Sequence, residues 1–374
     1  MRANKRRPRP AALLRALLGA LFGSLGALAT SAAHAADLPE DRADAMWHSY
    51  DGGGTKADGP AVLVRKSVAG KVSLSGSYYM DHVSNASIDV VTTASPYKET
   101  RHEWGVGLDY AVRDSLLTLA ATRSKEPDYL AEGVSLDVSQ EVFGGMSTIN
   151  LGFTRANDKV GRSDISGYFD SAKHWRYRLG LTQVLTPRLL ASLNYESVSD
   201  DGFLGNAYRS ALVFGAAVPE RMPRTRSSRA VKARLIGAVG DNASLRGEYR
   251  YFWDNWDIKA HTGEAGYSRT FGPKWLTEAF LRVYSQDKAL FYSDNATTET
   301  LYITRSRQYS TFDSTSFGAR LAYTALKVPG RYEVKLNGSF ERINYDFKDF
   351  TDVRTGQLYS YDANVVQLFV SATF

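Results

Sequence analysis

The sequence predicts an all-β chain that crosses a membrane as a closed, up-and-down antiparallel barrel. Three observations predict it. From Val62 onward apolar and polar residues alternate with a period of two over segments of about ten residues, the pattern of a strand with two unlike faces. Tight and extended connections then take turns along the chain. Aromatic residues gather on the apolar face near the ends of the segments, where rings suit a membrane interface.

Composition bounds the alternatives. The 374 residues are 43% hydrophobic and 23% charged, and they contain no Cys. Disulfide frameworks, thiolate metal sites and Cys nucleophiles are therefore excluded. A bundle of membrane-spanning helices would need repeated apolar runs of about 20 residues, and the one long run lies near the start of the chain. Plentiful aromatic and β-branched residues argue against disorder.

Residues 1–35 read as a secretory signal: a basic start, an apolar stretch from Ala16 to Ala29, and a small-residue cleavage site at Ala33-His34-Ala35. The charge excess of +6 sits there. Of 46 basic residues six are in this leader, which leaves 40 against 40 acidic residues in the mature chain. A basic footprint for nucleic acid disappears with the leader, and the expected address is the outer membrane of a Gram-negative cell.

Residues 36–60 come next. Fifteen strand-like segments lie between Val62 and Phe374, and a bacterial barrel with both ends in the periplasm needs an even number. Met46 to Tyr50 as a first strand gives sixteen, the preferred reading; Val62 to Val68 as a periplasmic or plugging segment would leave fourteen. The barrel proper is then 61–374. Tight turns are expected at Ala69-Gly70, Arg113-Asp114, Gly144-Gly145, Thr186-Pro187, Gly240-Asp241, Gly272-Pro273 and Pro329-Gly330. Long external loops are expected near 82–100, 124–131, 157–171, 199–226, 287–309 and 347–360, with a short break at Asp254 to Ile258. A soluble sandwich would also alternate, but its strands average about five or six residues, and no linker divides this chain into domains of ordinary size.

Face assignment follows from parity. The apolar face carries the expected aromatic girdle: Tyr78, Trp104, Tyr110, Trp175, Tyr177, Tyr195, Tyr249, Tyr251, Trp253, Trp275 and Tyr323. The polar face carries Asp81, Glu103, Asp109, Asp137 and Glu141 on early strands. Middle strands add Arg176, Arg178, Lys232, Arg234, Arg246, Glu248 and Arg250, and later ones Glu278, Arg282, Arg320, Glu333, Lys335 and Glu341. In lipid an Arg or Lys at midplane costs about 2–4 kcal/mol, so these groups are expected to line a wet lumen. Opposite signs on facing walls would set a transverse field that selects solutes; a mutually neutralising network that fills the barrel is the alternative. The run Ile88, Asp89, Val90, Val91 is too apolar for a free loop and reads either as a constriction folded into the mouth or as a strand rising above the membrane.

Four stretches carry a family resemblance: Leu38 to Met46 with His48 to Gly54, Ser87 to Glu99, Gly202 to Ser210, and Tyr249 to Ile258. With them the mature chain resembles an uncharacterised outer-membrane group, domain-of-unknown-function family 3570. The resemblance implies an outer-membrane barrel and no settled activity. The last strand, with Val366, Leu368, Val370, Ala372 and Phe374 on one face, resembles the C-terminal signal, here Phe374, that such barrels present to their assembly machinery.

Catalysis finds little support in the residues. The mature chain keeps His48, His82, His102, His174 and His261, each near a strand end or in a loop. There is no G-x-S-x-G elbow and no H-E-x-x-H spacing, and Ser199-Asp-Asp-Gly202 lacks the full ligand series of a calcium loop. No cofactor and no metal is expected. The expected function is a porin-like channel for small hydrophilic solutes. A barrel serving as a sleeve for a periplasmic or surface partner, in particular a redox protein, is the alternative, and an outer-membrane hydrolase ranks third. Lipid and the assembly machinery are the expected partners.

Overall fold

The computed structural model describes residues 37–88, 97–162 and 164–374. The leader and most of the Ile88–Val91 segment therefore lie outside the described residues. The first strands are β1 (Arg42–Gly52), β2 (Thr55–Ala69), β3 (Val72–Asn85), β4 (Tyr97–Val112), β5 (Ser115–Lys125), β6 (Tyr129–Val142), β7 (Ser147–Gly161), β8 (Phe169–Thr186) and β9 (Leu189–Gly202). A small hairpin, β10 (Ser210–Val213) and β11 (Ala216–Pro219), stands apart from the main sheet. There follow β12 (Thr225–Val239), β13 (Ala243–Asp254), β14 (Lys259–Phe271), β15 (Trp275–Gln286), β16 (Phe312–Val328), β17 (Tyr332–Asp352) and β18 (Gln357–Thr373).

Sixteen of these strands close into one antiparallel cylinder, each paired with its sequence neighbour, and β1 seals the seam against β18. Arg42 pairs with Thr373 and Gly52 with Ala363, so residues 42–52 form a full first strand and not a plug. Closure leaves no unpaired edge, which is the condition for a sheet to stand in hydrocarbon.

The tight turns at one end match those expected. Gly240, Gly272 and Gly330 have φ of 64°, 59° and 71°, a region that costs glycine little because it lacks Cβ. At the other end the strands run further than their sequence suggests. β17 continues to Asp352 and β18 starts at Gln357, so the expected loop at 347–360 shrinks to four residues. The loop near 124–131 likewise shrinks to 126–128, and that near 157–171 to 162–168. Residues above the girdle pair on, with one irregularity between Asp346 and Thr351 that moves the buried face from Phe347 to Phe350, and their inner face finds packing partners in neighbouring loops. Tyr292 donates to the Asp349 carbonyl at 2.9 Å, and Thr311 N–H donates to Asp349 Oδ1 at 2.8 Å.

Two loops carry most of the remaining chain at this end, and they fold together. Residues 203–224 hold the β10–β11 hairpin, and residues 287–311 hold a short 3₁₀ turn at Arg307–Tyr309. Isolated bridges join Val213 to Ala296 and Arg221 to Ile303.

Candidate functional site

Outward and inward faces separate cleanly. On β4, Trp104, Val106, Leu108 and Tyr110 are exposed, whereas Gly105 and Gly107 sit against the hydroxyls of Ser77 and Ser75 on the other face. All eleven girdle residues share parity with the exposed apolar ones and fall in two bands. Tyr78, Trp104, Trp175, Tyr177, Tyr195, Tyr249, Tyr251 and Trp253 lie toward the loop end; Tyr110, Trp275 and Tyr323 lie toward the turn end. Tyr78 and Trp104 stand in register with ring centroids 5.9 Å apart, as do Trp275 and Tyr323 at 4.5 Å.

The inward charges form a ladder along the wall from β12 to β17. Lys232 and Arg234 both meet Glu248, at 3.6 and 2.6 Å. Arg246 reaches Glu264 at 2.7 Å and Glu278 at 2.6 Å, crossing over Gly266, where a Cβ would come within 3.2 Å of its guanidinium. Arg282 bridges Glu264 at 2.7 Å and Glu341 at 2.9 Å, and Arg320 meets Glu278 at 3.1 Å. Phe280 is buried between Arg320 and Arg282, with centroid distances of 4.8 and 5.4 Å. Groups this close to opposite charges neutralise one another in a partly dry setting, where the attraction is stronger than in bulk water.

The other arc is built differently. Ser73, Ser75 and Ser77 on β3, Gly105 and Gly107 on β4, Thr118, Ala120 and Thr122 on β5, and Gly133 and Ser135 on β6 line it with small neutral groups. Its charges are sparse and also paired sideways. Arg178 reaches Asp137 at 2.8 Å across Gly152, whose missing Cβ leaves the path open; a methyl there would stand 2.4 Å from Asp137 Oδ1. Asp109 accepts from Thr118 at 2.7 Å and faces Arg65 at 3.6 Å. Arg176 meets Glu196 at 3.5 Å. Back on the ladder arc, Arg250 of β13 stacks over Phe252 at 5.5 Å, and Glu333 of β17 lies between Lys327 and Lys335, each at 3.4 Å. Glu141 shares the inward parity of Asp137 near the turn end.

The expected transverse field is therefore corrected. Opposite signs meet on the same stretch of wall, because neighbouring strands bring side chains about 5 Å apart while facing walls are separated by the lumen.

Asp81, itself fully buried, heads a cluster that sequence reading did not foresee. Arg101 donates to Asp81 Oδ2 from Nη2 at 2.7 Å and from Nε at 3.0 Å. His48 Nε2 lies 2.6 Å from Asp81 Oδ1 and 2.7 Å from the Tyr79 hydroxyl. Arg101 also approaches Glu103 at 3.6 Å. His174 is gripped in the same way, with Nδ1 2.7 Å from Asp200 and Nε2 3.0 Å from Asp158. Glu264 was missed because β14 alternates weakly; its parity with Thr262 and Gly266 was the available signal.

Above the ladder the lumen turns aromatic. Ile343, Tyr345 and Phe347 of β17 face Tyr359, Tyr361 and Val365 of β18, and Tyr50 joins from β1. The 287–311 loop seals this region. Arg305, 1% exposed, pairs with Asp294 at 2.8 Å and lies 4.5 Å over Phe350, while Arg307 lies 4.8 Å over Tyr361. Ile88, 3% exposed, enters the same cluster; Asp89, Val90 and Val91 lie outside the described residues. Between the loops a cavity of about 380 Å³ is lined by Pro223, Trp256, Leu290, Phe291, Leu301 and Tyr302. Among the described residues, no three His, Cys, Asp or Glu side chains are grouped to hold a metal.

The fold recurs among solved structures. A bacterial polysaccharide outer-membrane secretin is 8% identical with TM-score 0.51, the alignment covering 90% of this chain and 99% of that one. An outer-membrane protein of Vibrio cholerae, OmpT with loop L8 deleted, is 10% identical with TM-score 0.45 over 89% and 98%. A Pseudomonas aeruginosa FadL homologue is 12% identical with TM-score 0.41 over 90% of each chain. At these identities the likeness is one of fold alone. No curated protein matches the sequence. The family described as "Protein of unknown function (DUF3570)" matches residues 162–327. Two of the four stretches that carried the resemblance, Gly202 to Ser210 and Tyr249 to Ile258, fall inside that match, and it ends before the last two strands. Residues 162–327, somewhat under half of the chain, are thus similar to this family of unknown function, and the chain folds as a closed sixteen-strand barrel of the outer-membrane kind.

Proposed function

We propose that the protein is an outer-membrane channel that passes small hydrophilic solutes down a gradient. The observation that carries this reading is the sideways pairing of the lumen charges. Glu248, Glu264, Glu278 and Glu341 all find their cations on the same arc. None of these four acids has to cross the lumen for a partner, and the Ser, Gly and Thr arc stays lined by small groups. Barrels of 16–18 strands are wide enough that wall side chains leave an aqueous path. The aromatic mouth and the 287–311 loop then set the size limit. The reading needs no covalent chemistry and no cofactor, and it takes Phe374 as the residue read by the assembly machinery.

Reconstituted into planar bilayers, the folded protein is expected to give discrete conductance steps. Arg282→Ala leaves Glu264 and Glu341 without that cation, so its reversal potential in a salt gradient should shift toward cation preference. Bilayers that stay sealed while the barrel is demonstrably folded would overturn the proposal.

A specific observation favours a sleeve for a surface partner as the second reading. Phe214, Leu290 and Leu301 are 75%, 80% and 75% exposed on the two large loops, more apolar surface than solvated loops ordinarily show. A partner retained through purification and lost in Leu290→Ser/Leu301→Ser would support the sleeve.

A further inference from the structure

We propose that the outward faces of β7 and β8 form a binding surface for the phosphorylated headgroup of an outer-leaflet glycolipid. The inference rests on the outer-membrane reading and is independent of whether the lumen conducts.

Three cations carry it: Arg155 and Lys159 on β7, and Lys173 on β8. All three are exposed and share parity with lipid-facing Phe153, Trp175 and Tyr177, so they point away from the lumen. The register pairs Arg155 with Trp175 and Asn157 with Lys173. Lys173 therefore sits diagonally between Arg155 and Lys159, at a spacing of about 7–8 Å. Like charges so placed repel, and none of the three has an ion pair or side-chain hydrogen bond among the described residues. That contrasts with the lumen, where most of the charges are paired.

Two acids share this outward face, and neither forms an ion pair with the three cations. Glu132 is engaged by Arg123 at 3.5 Å, and Asp201, opposite Lys173 on β9, does not close to ion-pair distance.

Depth fixes the chemistry of the partner. On β8 the lipid-facing apolar span runs from Trp175 to Leu185. Ten residues at about 3.3 Å each, tilted by about 40°, make a band about 25 Å tall, the height of the apolar belt of such barrels. Lys173 and Lys159 lie just beyond that band and Arg155 level with its aromatic rim, which is the depth of the headgroups. An unpaired cation is stable there when it meets an anion, and a phosphate offers acceptor oxygens to the Arg fork and the ammonium groups together. The patch is at the loop end, so the leaflet is the outer one.

The test uses the full-length barrel in detergent, with diphosphorylated lipid A as probe and two comparison lipids: its dephosphorylated form and phosphatidylglycerol. Binding is read by native mass spectrometry and by the rise in unfolding temperature. Each cation near an anionic surface contributes roughly a fivefold gain, so Arg155→Ala/Lys159→Ala/Lys173→Ala should bind diphosphorylated lipid A roughly a hundredfold more weakly. Lys173→Arg should bind as the parent does, and Arg269→Ala, outward near the turn end, should change nothing. Folding of each variant is checked by its heat-dependent shift on gels. Equal binding by the triple variant, equal binding of the dephosphorylated lipid, or preference for phosphatidylglycerol would overturn the proposal. Loss of conductance with lipid binding intact would count against the channel alone.

Discussion

At the scale of single residues, Asp41 does more than its place just before β1 suggests. Its carbonyl accepts the Phe374 N–H at 3.0 Å, and its carboxylate takes the Ser67 N–H at 2.5 Å and the Lys66 ammonium at 2.7 Å. Lys66 in turn lies 4.8 Å over the Phe374 ring. One residue thus ties the start of β1 to the end of β18 and to β2. Hydrogen bonds from Lys66 and Ser67 hold its carboxyl down at about 2, below the usual 3.8. A carboxyl whose folded value is depressed stabilises fully above its unfolded value and loses that stabilisation as pH falls through the folded one. Asp41→Asn should therefore unfold at a lower temperature than the parent at pH 6, and the gap should close between about pH 4 and pH 2. A gap unchanged at pH 2 would assign the effect to something other than the charge. Gly152 and Gly266 make the complementary point: their missing side chains decide which charges meet.

Elements divide the labour by their inner faces. β3 to β6 present small polar groups, β12 to β17 the charge ladder, and the upper parts of β17 and β18 an aromatic shelf on which the 287–311 loop rests. The loop is fastened by Arg305 to the Thr351 carbonyl at 2.7 Å and by Tyr292 to the Asp349 carbonyl at 2.9 Å. Replacing residues 289–306 with a short Gly-Ser link should raise single-channel conductance, because it removes mass from the mouth while leaving the strand pairs intact. Unchanged conductance would show that the narrowest point lies elsewhere. The two long loops were visible in the sequence as stretches without period. Their mutual packing was not, because Arg221 and Ile303, which bridge them, are more than eighty residues apart.

For the whole molecule, closure is the governing fact. Sixteen strands paired in a ring leave every strand two neighbours, and the seam contributes as continuous a ladder as any other pair: all eleven residues of β1 pair with β18. Removing residues 37–52 leaves fifteen strands and two open edges. That variant should lose the compact, heat-sensitive gel species altogether rather than shift its midpoint. A folded species of normal mobility would mean that β1 is dispensable to the cylinder. The same closure explains why ion pairs run sideways: with sidewall neighbours this near, a charge facing the lumen has a closer partner on the next strand than on the far wall.

The sequence by itself determined the class of fold, the two faces of each strand, the outward parity of the aromatic residues and the tight turns, because a period of two fixes which side chains share a face and a tight turn needs only local chemistry. It also gave the even strand count once Met46 to Tyr50 was admitted. Only the tertiary structure decided which charges pair, that His48 and Arg101 converge on Asp81, that the external strands outrun their expected ends, and that two distant loops cap one mouth. Those outcomes depend on register and on contacts between residues far apart in the chain, and alternation within a single strand holds no information about either.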